Sequence, residues 1–499
     1  MTRAHQSSVG RRRERELLSS AARVDRAALV AIYGRRRVGK THLVRAHLEP
    51  TAGTYFEAIG QHAAPKAVQL DNFKQQLEAT FLNHRLPPLN DWREALSLLA
   101  DGVEAAAIRH PSEPVVVFFD ELPWMSTHRS GLLPAIDHLW NARLSKLPNL
   151  VWVLCGSAAS FMIDRLINAK GGLHNRVTHR IRLEPFRLSE VRELLASRGL
   201  RRGTAQTLEL YMALGGVAHY LLQVPRGVSA SQAIGQLCFD RAGPLSDEFG
   251  RLFASLFDDS GEHERLVRAV ARKRSGVSRD ELISSAGMAS GGRLTRRLDE
   301  LEAAGFLARF VPYGRKRRET SYRLIDEFSL FYLDWMDGAP ASSFGARGAR
   351  YWMSRANTPA YRSWAGYAFE GICLKHTAEI EAALGIDGMA NEVGTWRYVT
   401  RPGSDVSGAQ VDLLFDRPDG IINLCELKYC SEEFVLSKAY AKELVTKVEI
   451  FKQRTKTKKD VVVTLITTHG LKPGLWNDEV IDSVVTADAL MADCSLRVP

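Results

Sequence analysis

The chain has 499 residues, 45% hydrophobic and 25% charged, a globular composition that excludes a wholly disordered protein and leaves room for about three domains with their own cores. A formal charge of +10 at pH 7 points to a polyanionic partner such as nucleic acid, although a basic surface also serves solubility alone. No uninterrupted apolar run approaches the ~20 residues that span a bilayer, and the arginines of MTRAHQSSVGRRRERELL precede no apolar segment of a secretory signal. A cytoplasmic protein with no membrane partner is expected. The six cysteines (Cys155, Cys238, Cys373, Cys425, Cys430 and Cys494) have no CxxC spacing, so neither a zinc site nor a disulfide framework is expected.

In chain order, the first informative stretch is LVAIYGRRRVGKTHL, Leu29 to Leu43: a strand-like apolar run, the pattern GxxxxGKT, then a helical pattern. Gly34 and Gly39, with Arg35, Arg36, Arg37 and Val38 between them, allow the backbone to wrap phosphate oxygens with its N–H groups, and the helix beginning near Lys40 aims the positive end of its dipole at them. Lys40 would reach the β and γ phosphates of ATP and Thr41 would ligate Mg2+. VVVFFDELPW supplies the acidic partner. Its continuous apolar run is that of a strand buried on both faces of a parallel sheet; Asp120 at its end would hold the magnesium ion and Glu121 would polarise the attacking water. LVWVLCGSAASFM then places Ser157 at another strand end, where additional-strand ATPases carry a polar residue, usually Asn, that senses the γ-phosphate. In GGLHNRVTHRIRLEPF, Arg176 lies in a loop before a strand, from which a guanidinium could neutralise a transferring phosphoryl group of its own or a neighbouring subunit. Ser189 to Val224 read as helices around Gly215 and Gly216, a lid for the nucleotide.

The succession YGRRRVGKT, FFDELPW, LCGSAASFM, RLEPF and GGVAHYL resembles the ATPase family found predominantly in archaea, which is related to AAA+ and STAND ATPases; the likeness runs roughly over residues 5 to 330. It implies phosphate and metal roles for Gly34, Gly39, Lys40, Thr41, Asp120 and Glu121, and a family arginine at the position of Arg176.

From Glu264, three helical segments separated by Ser and Gly, with a cap-like Ser278, lead into the strand-like ARFVPY and TSYRLI joined by GRKRRE. That order predicts a winged helix-turn-helix. Arg293, Arg296 and Arg297 on its third helix and Arg315, Lys316, Arg317 and Arg318 in its wing would contact DNA phosphates and grooves; winged helices also serve as lids or protein contacts. Glu327 to Arg362 reads as a helix docking the winged helix, then a linker.

The last informative stretch, VDLLFDRPDGIINLCELKYC, is a hairpin with an acid in each arm. A three-residue loop Pro418–Asp419–Gly420 makes Arg417 face Ile421 and puts Asp412 opposite Glu426 on one sheet face; loops of two or four residues would separate them. Like charges directly opposite destabilise a sheet. A divalent cation between Asp412 and Glu426 would compensate, with Lys428 on the same face, an arrangement suited to metal-assisted phosphodiester hydrolysis. An exposed hairpin with a Glu–Lys pair is the plainer alternative. Upstream, SWAGYAFEGICLKH reads as a helix carrying Glu370; downstream come a basic helix with Lys438, Lys442 and Lys447 and a buried strand. Helix with Glu, hairpin with Asp and ExK, helix and strand resemble the PD-(D/E)XK nuclease superfamily over about residues 361 to 475. The resemblance implies a catalytic metal site of Asp412, Glu426 and Lys428, with Glu370 as the helical acid.

The expected architecture is α/β: a P-loop NTPase core (residues 1–188), a helical lid (189–258), a winged helix-turn-helix (259–326), a helical linker (327–360) and a C-terminal α/β restriction-endonuclease-like domain (361–499). The expected function couples ATP to binding and Mg2+-dependent cleavage of double-stranded DNA. A nucleotide switch or DNA-binding regulator whose C-terminal domain only binds is the competing reading. The oligomeric state stays open; Arg176 acting in trans would require a homo-oligomer.

Overall fold

Residues with no polar side chain for five or six positions can be satisfied only where both faces of a strand are covered, and ALVAIY, VVVFFD and LVWVLCG meet that condition. In the computed structural model, which describes residues 9–168, 172–257, 259–288, 290–316, 319–340, 343–345, 348–356, 358–400 and 408–494, they are the centre of a parallel sheet. Its strands are β1 (Ala28–Tyr33), β2 (Thr54–Ile59), β3 (Val115–Asp120), β4 (Leu150–Gly156) and β5 (His179–Arg182), in the order β2-β3-β4-β1-β5. One face buries Phe56, Phe73, Trp92, Phe119 and Trp152, and the other Val30, Ile32, Val44, Phe118 and Val153. The carboxyl ends of β1, β3 and β4 lie side by side, and crevices at such ends are where open α/β sheets bind ligands.

The chain divides into two units by its internal contacts. The first is Met1–Pro185 with Ala254–Asp258 and Asp299–Gly305; the second is Phe186–Phe253, Asp259–Leu298 and Phe306–Pro499. The second unit therefore joins the expected lid to everything that follows the winged helix. Its joints are specific. The fully buried His376 accepts from the backbone N–H of Leu188 through Nε2 (3.1 Å), while its Nδ1 lies 2.8 Å from the carbonyl of Ile372. A carbonyl can only accept, so the ring is neutral with its proton on Nδ1. Burial pushes its pKa down to about 3. Alongside it, Arg187 donates to both oxygens of the buried Glu379 (2.9 and 2.8 Å).

The helices Ser260–Ala271, Arg279–Ala286 and Gly292–Ala303 precede a small antiparallel sheet of β6 (Val277–Ser278), β7 (Leu307–Phe310) and β8 (Ser321–Leu324), ordered β6-β8-β7. Ser278 caps the second helix, accepting from the N–H of Glu281, whose carboxylate accepts in return from the N–H of Ser278. Of the arginines expected to face DNA, Arg293 and Arg296 are exposed, but Arg297 is 9% exposed and forms ion pairs with Asp259 and, at 3.2 Å, with Glu262. Arg297 is thus a packing cation, turned toward acids of the first helix of the three. Arg315 and Lys316 are exposed, Arg315 pairing with Glu319 at 3.1 Å; Arg317 and Arg318 lie outside the described residues. Beside the wing tip, Tyr313 donates its backbone N–H to Thr395 (2.8 Å) and its hydroxyl to Asp416 (2.7 Å), with its ring 6.0 Å from that of Phe451.

The stretch read as a linker contains a helix, Gly348–Arg355, whose fully buried Trp352 stacks on Phe239 with ring centroids 5.7 Å apart. The last sheet has β9 (Glu392–Tyr398), β10 (Ala409–Asp416), β11 (Ile421–Lys428), β12 (Asp460–Thr467) and β13 (Ser483–Thr486) in the order β13-β12-β11-β10-β9. Pairing is antiparallel from β9 to β11 and parallel from β11 to β13. The Lys438–Thr455 helix packs Ile450 and Phe451 on Trp396, Val411, Leu414, Ile422 and Leu424, and the Pro359–Lys375 helix packs against β11.

Arg297 is buried but both its acids reach solvent, so Arg297→Ala should lower stability by about 1 kcal/mol in urea unfolding, whereas Arg293→Ala should leave the unfolding midpoint in place.

Candidate functional site

The loop after β1 turns back on itself through residues in the left-handed region: Gly34 at φ 145°, Arg37 at 70° and Gly39 at 99°. A Cβ on Gly34 would stand 2.1 Å from the carbonyl oxygen of Leu183, so the close approach as well as the torsion demands glycine. Arg35 and Val38 are buried, and Arg36 lies 5.5 Å over the ring of Trp124. Lys40 opens the Lys40–Leu48 helix, and its Nζ donates to the carbonyls of Gly34 and Arg35, each at 3.0 Å. Its ammonium is thus held inside the loop. The hydroxyl of Thr41 donates to Asp120 Oδ2 at 2.6 Å, bringing the end of the loop against the end of β3. A loop of turned N–H groups at a helix start fits a polyphosphate, and a hydroxyl beside a carboxylate is an all-oxygen donor set that fits magnesium.

Glu121 follows with φ 49° and ψ 47°, a conformation that a non-glycine residue adopts at some strain. Its carboxylate accepts from the Ser157 hydroxyl (2.9 and 2.7 Å) and from the Ser157 backbone N–H (3.1 Å). The geometry gives Ser157 a contact that the sequence reading had not foreseen: the side chain at the end of β4 is engaged with Glu121. Arg176 is exposed in a turn after the short helix Gly172–Asn175.

In the second unit, Arg417 donates its N–H to Ile421 at 2.9 Å and Gly420 has φ 91°, as the three-residue loop requires. Pairs run Asp416↔Ile422 to Leu413↔Cys425; Asp412 follows immediately beyond the last pair and lies near enough to Glu426 for that charge to raise its pKa. Toward β9 the register slips between Val411 and Leu414. This irregularity at Asp412 and Leu413 bends the strand and re-aims its side chains. Glu426, 3% exposed, accepts from Lys428 (2.9 Å), Lys447 (2.6 Å) and the Tyr440 hydroxyl. Burial alone would raise its pKa, but Lys447 and Lys428 hold it below the ordinary value. Asp412 accepts from Gln410 (2.9 Å) and is raised by burial and by Glu426. Glu370, on the Pro359–Lys375 helix, is pushed up to about 7 by burial and by Asp412.

Sequence reasoning misses Tyr440 and reads Lys447 only as one lysine of a basic helix. Their seven-residue spacing, two turns of one helix, was the signal that both share a face. Lys442 is exposed and Lys438 lies 5.3 Å over Trp476. Two facing carboxylates are a donor set for a hard cation, though no group of three or more His, Cys, Asp or Glu poised to hold a metal occurs among the described residues.

The parallel sheet, the glycine-turned loop and the Lys40, Thr41 and Asp120 cluster define a P-loop ATPase domain. Residues 9–224 match the model of a family described as an ATPase domain predominantly from Archaea. Over 420 residues the chain is 20% identical to an uncharacterized protein of Methanocaldococcus jannaschii, covering 81% of this chain and 83% of that protein. Among solved structures, a Walker-type ATPase of Pyrococcus abyssi is similar with a TM-score of 0.44 and 18% identity, over 65% of this chain and 96% of that one. The ORC2 protein of Aeropyrum pernix, in complexes with ADPNP and ADP, is similar with a TM-score of 0.40 and 14% identity, over 71% and 96%. No described helix is long and apolar enough to cross a membrane.

Glu370 carries a pH signature. Its folded value of about 7 lies above its ordinary 4.5, so between these values the unfolded chain ionises while the folded one resists, and stability falls as pH rises through that window. Glu370→Gln should therefore gain stability over the parent above about 7 and gain least below about 4.5, read as thermal unfolding midpoints across pH.

Proposed function

We propose that the chain hydrolyses ATP at the P-loop and couples nucleotide state to binding and metal-dependent cleavage of nucleic acid, duplex DNA above all, at the Asp412–Glu426 face. What carries the ATP half is the convergence of Lys40, Thr41 and Asp120 on a glycine-turned loop. Backbone N–H groups and Lys40 would bind the phosphates, and Thr41 with Asp120 would hold the magnesium ion, which supplies charge neutralisation on the phosphates. Glu121 would take up the proton of the attacking water, with Ser157 orienting its carboxylate. Arg176, exposed on its turn, is available to a phosphoryl group of its own or a neighbouring subunit in a homo-oligomer.

What supports the cleavage half is the closeness of three acids: Glu426 raises the pKa of Asp412, and Asp412 that of Glu370. Asp412 and Glu426 would hold a divalent cation, whose chemistry is to acidify water and draw charge from a phosphodiester. Lys428, 2.9 Å from Glu426, would meet the developing negative charge. One observation favours the competing reading, a nucleotide-driven switch whose C-terminal part only binds: both Glu426 oxygens are already engaged by Lys428, Lys447 and Tyr440. Asp412 distinguishes the two, because a binding face would keep its affinity without that carboxylate.

Lys40→Ala should abolish ATP binding, while Glu121→Gln should keep binding and lose about 10²- to 10⁴-fold in hydrolysis rate, the usual worth of a general base; unchanged turnover in Glu121→Gln would remove Glu121 from the chemistry. With linear and supercoiled duplex in magnesium or manganese, Asp412→Asn should abolish cutting and spare ATP turnover. No cutting by the parent under any condition, with ATP turnover intact, would leave the switch reading in its place.

A further inference from the structure

Between β8 and the Pro359–Lys375 helix lies a cavity of about 630 Å3, including its open mouth. Six charged side chains line it: Lys273, Arg274, Arg323, Glu327, Asp334 and Glu370. Four of them are already matched. Lys273 pairs with Glu281, Arg274 with Asp334 at 2.7 Å, and Glu327 with Lys375 at 2.5 Å. The remaining two, Arg323 and Glu370, have opposite charges and share the cavity, yet among the described residues neither forms an ion pair or a side-chain hydrogen bond. Arg323 Nε is buried without a partner, and its guanidinium rests 5.2 Å over the ring of Phe310. A buried donor left unmade is costly; Arg323 and Glu370 line the same cavity and feel each other's charge without pairing, and Glu327, held by Lys375 through one oxygen, has its other oxygen buried without a partner.

Resting on the cleavage reading above, we propose that this cavity is the phosphate subsite of the acid face, and that Arg323, a residue of the winged-helix sheet, binds a non-bridging oxygen of the phosphodiester beside Glu370. A planar guanidinium is the group best matched to phosphate oxygens. Phosphate placed there would satisfy the orphaned Nε, and a metal ion on the carboxylate side would balance its remaining charge. The field of Arg323 already reaches the acids: burial raises Glu370, and Arg323 opposes that rise, while burial lowers Arg323 and both Glu370 and Asp412 oppose the fall. The substrate class is a phosphodiester of a nucleic-acid strand. The C-terminal acids alone would form an incomplete site, because the cation comes from β8.

The test is binding of short fluorescein-labelled duplex DNA, single-stranded DNA and RNA by the full chain in calcium, where binding is read without cleavage, alongside cleavage in magnesium. Arg323→Ala should weaken binding about tenfold or more, the loss of a charged hydrogen-bonded contact, and Arg323→Lys, which restores the charge but not the planar fork, should recover part of it. If Arg323→Ala fails to fold, Arg323→Gln, which keeps the polar stem on Phe310, takes its place with the same expectation. Parent-like affinity in a folded Arg323 variant would overturn the inference, as would failure of the parent to bind any of the three nucleic acids. Arg323-dependent binding without cleavage by the parent would sink the cleavage reading and leave the subsite standing.

Discussion

Two carboxylates facing each other across paired strands repel, and much of the C-terminal sheet is organised by how that repulsion is held. Asp412 and Glu426 share a face because a single left-handed glycine closes a three-residue loop. The two acids meet different fates. Glu426 is held ionised by two lysines and a tyrosine, whereas Asp412 and Glu370, with little to neutralise them, are driven toward their protonated forms. One acid of this face is thus kept charged while two are reluctant to ionise, the difference lying in which of them the lysines reach.

The first unit solves a different electrostatic problem with the same economy. Its loop must receive several negative charges, so it presents N–H groups and one lysine. The lysine is anchored to the loop's own carbonyls, which keeps the ammonium in place. The acids sit two strands over, at the end of β3, where Thr41 and Ser157 each engage one of them. The sheet order makes this workable: β4 lies between β1 and β3, so its end can reach the carboxylate that β3 presents.

What could be read from the chain alone was whatever local geometry dictates. Gly34 and Gly39 announce a phosphate loop because few residues tolerate their torsions, and Pro418–Asp419–Gly420 fixes the parity of the hairpin on either side. Ser278 with Glu281 marks a helix start for the same reason. What escaped was decided by packing between distant segments. Arg297 follows Arg296 directly on the same basic helix, and only the fold turns it to Asp259 and Glu262. The helix carrying Tyr440 and Lys447 looks like a basic surface helix until the sheet presents Glu426 to it. Nor does any local pattern foretell that Tyr313, beside a basic wing, lends its hydroxyl to Asp416. That contact ties the residue just before the basic turn to the C-terminal sheet.

The backbone of Glu121 has one further implication. A side chain held in the left-handed region stores about 1–3 kcal/mol that glycine would release, so the position where the carboxylate is wanted is one where the chain itself would be more comfortable without any side chain. Folding and chemistry therefore make opposite demands on one residue. On the role proposed for Glu121, a glycine in its place would relieve the backbone and remove the carboxylate in one step.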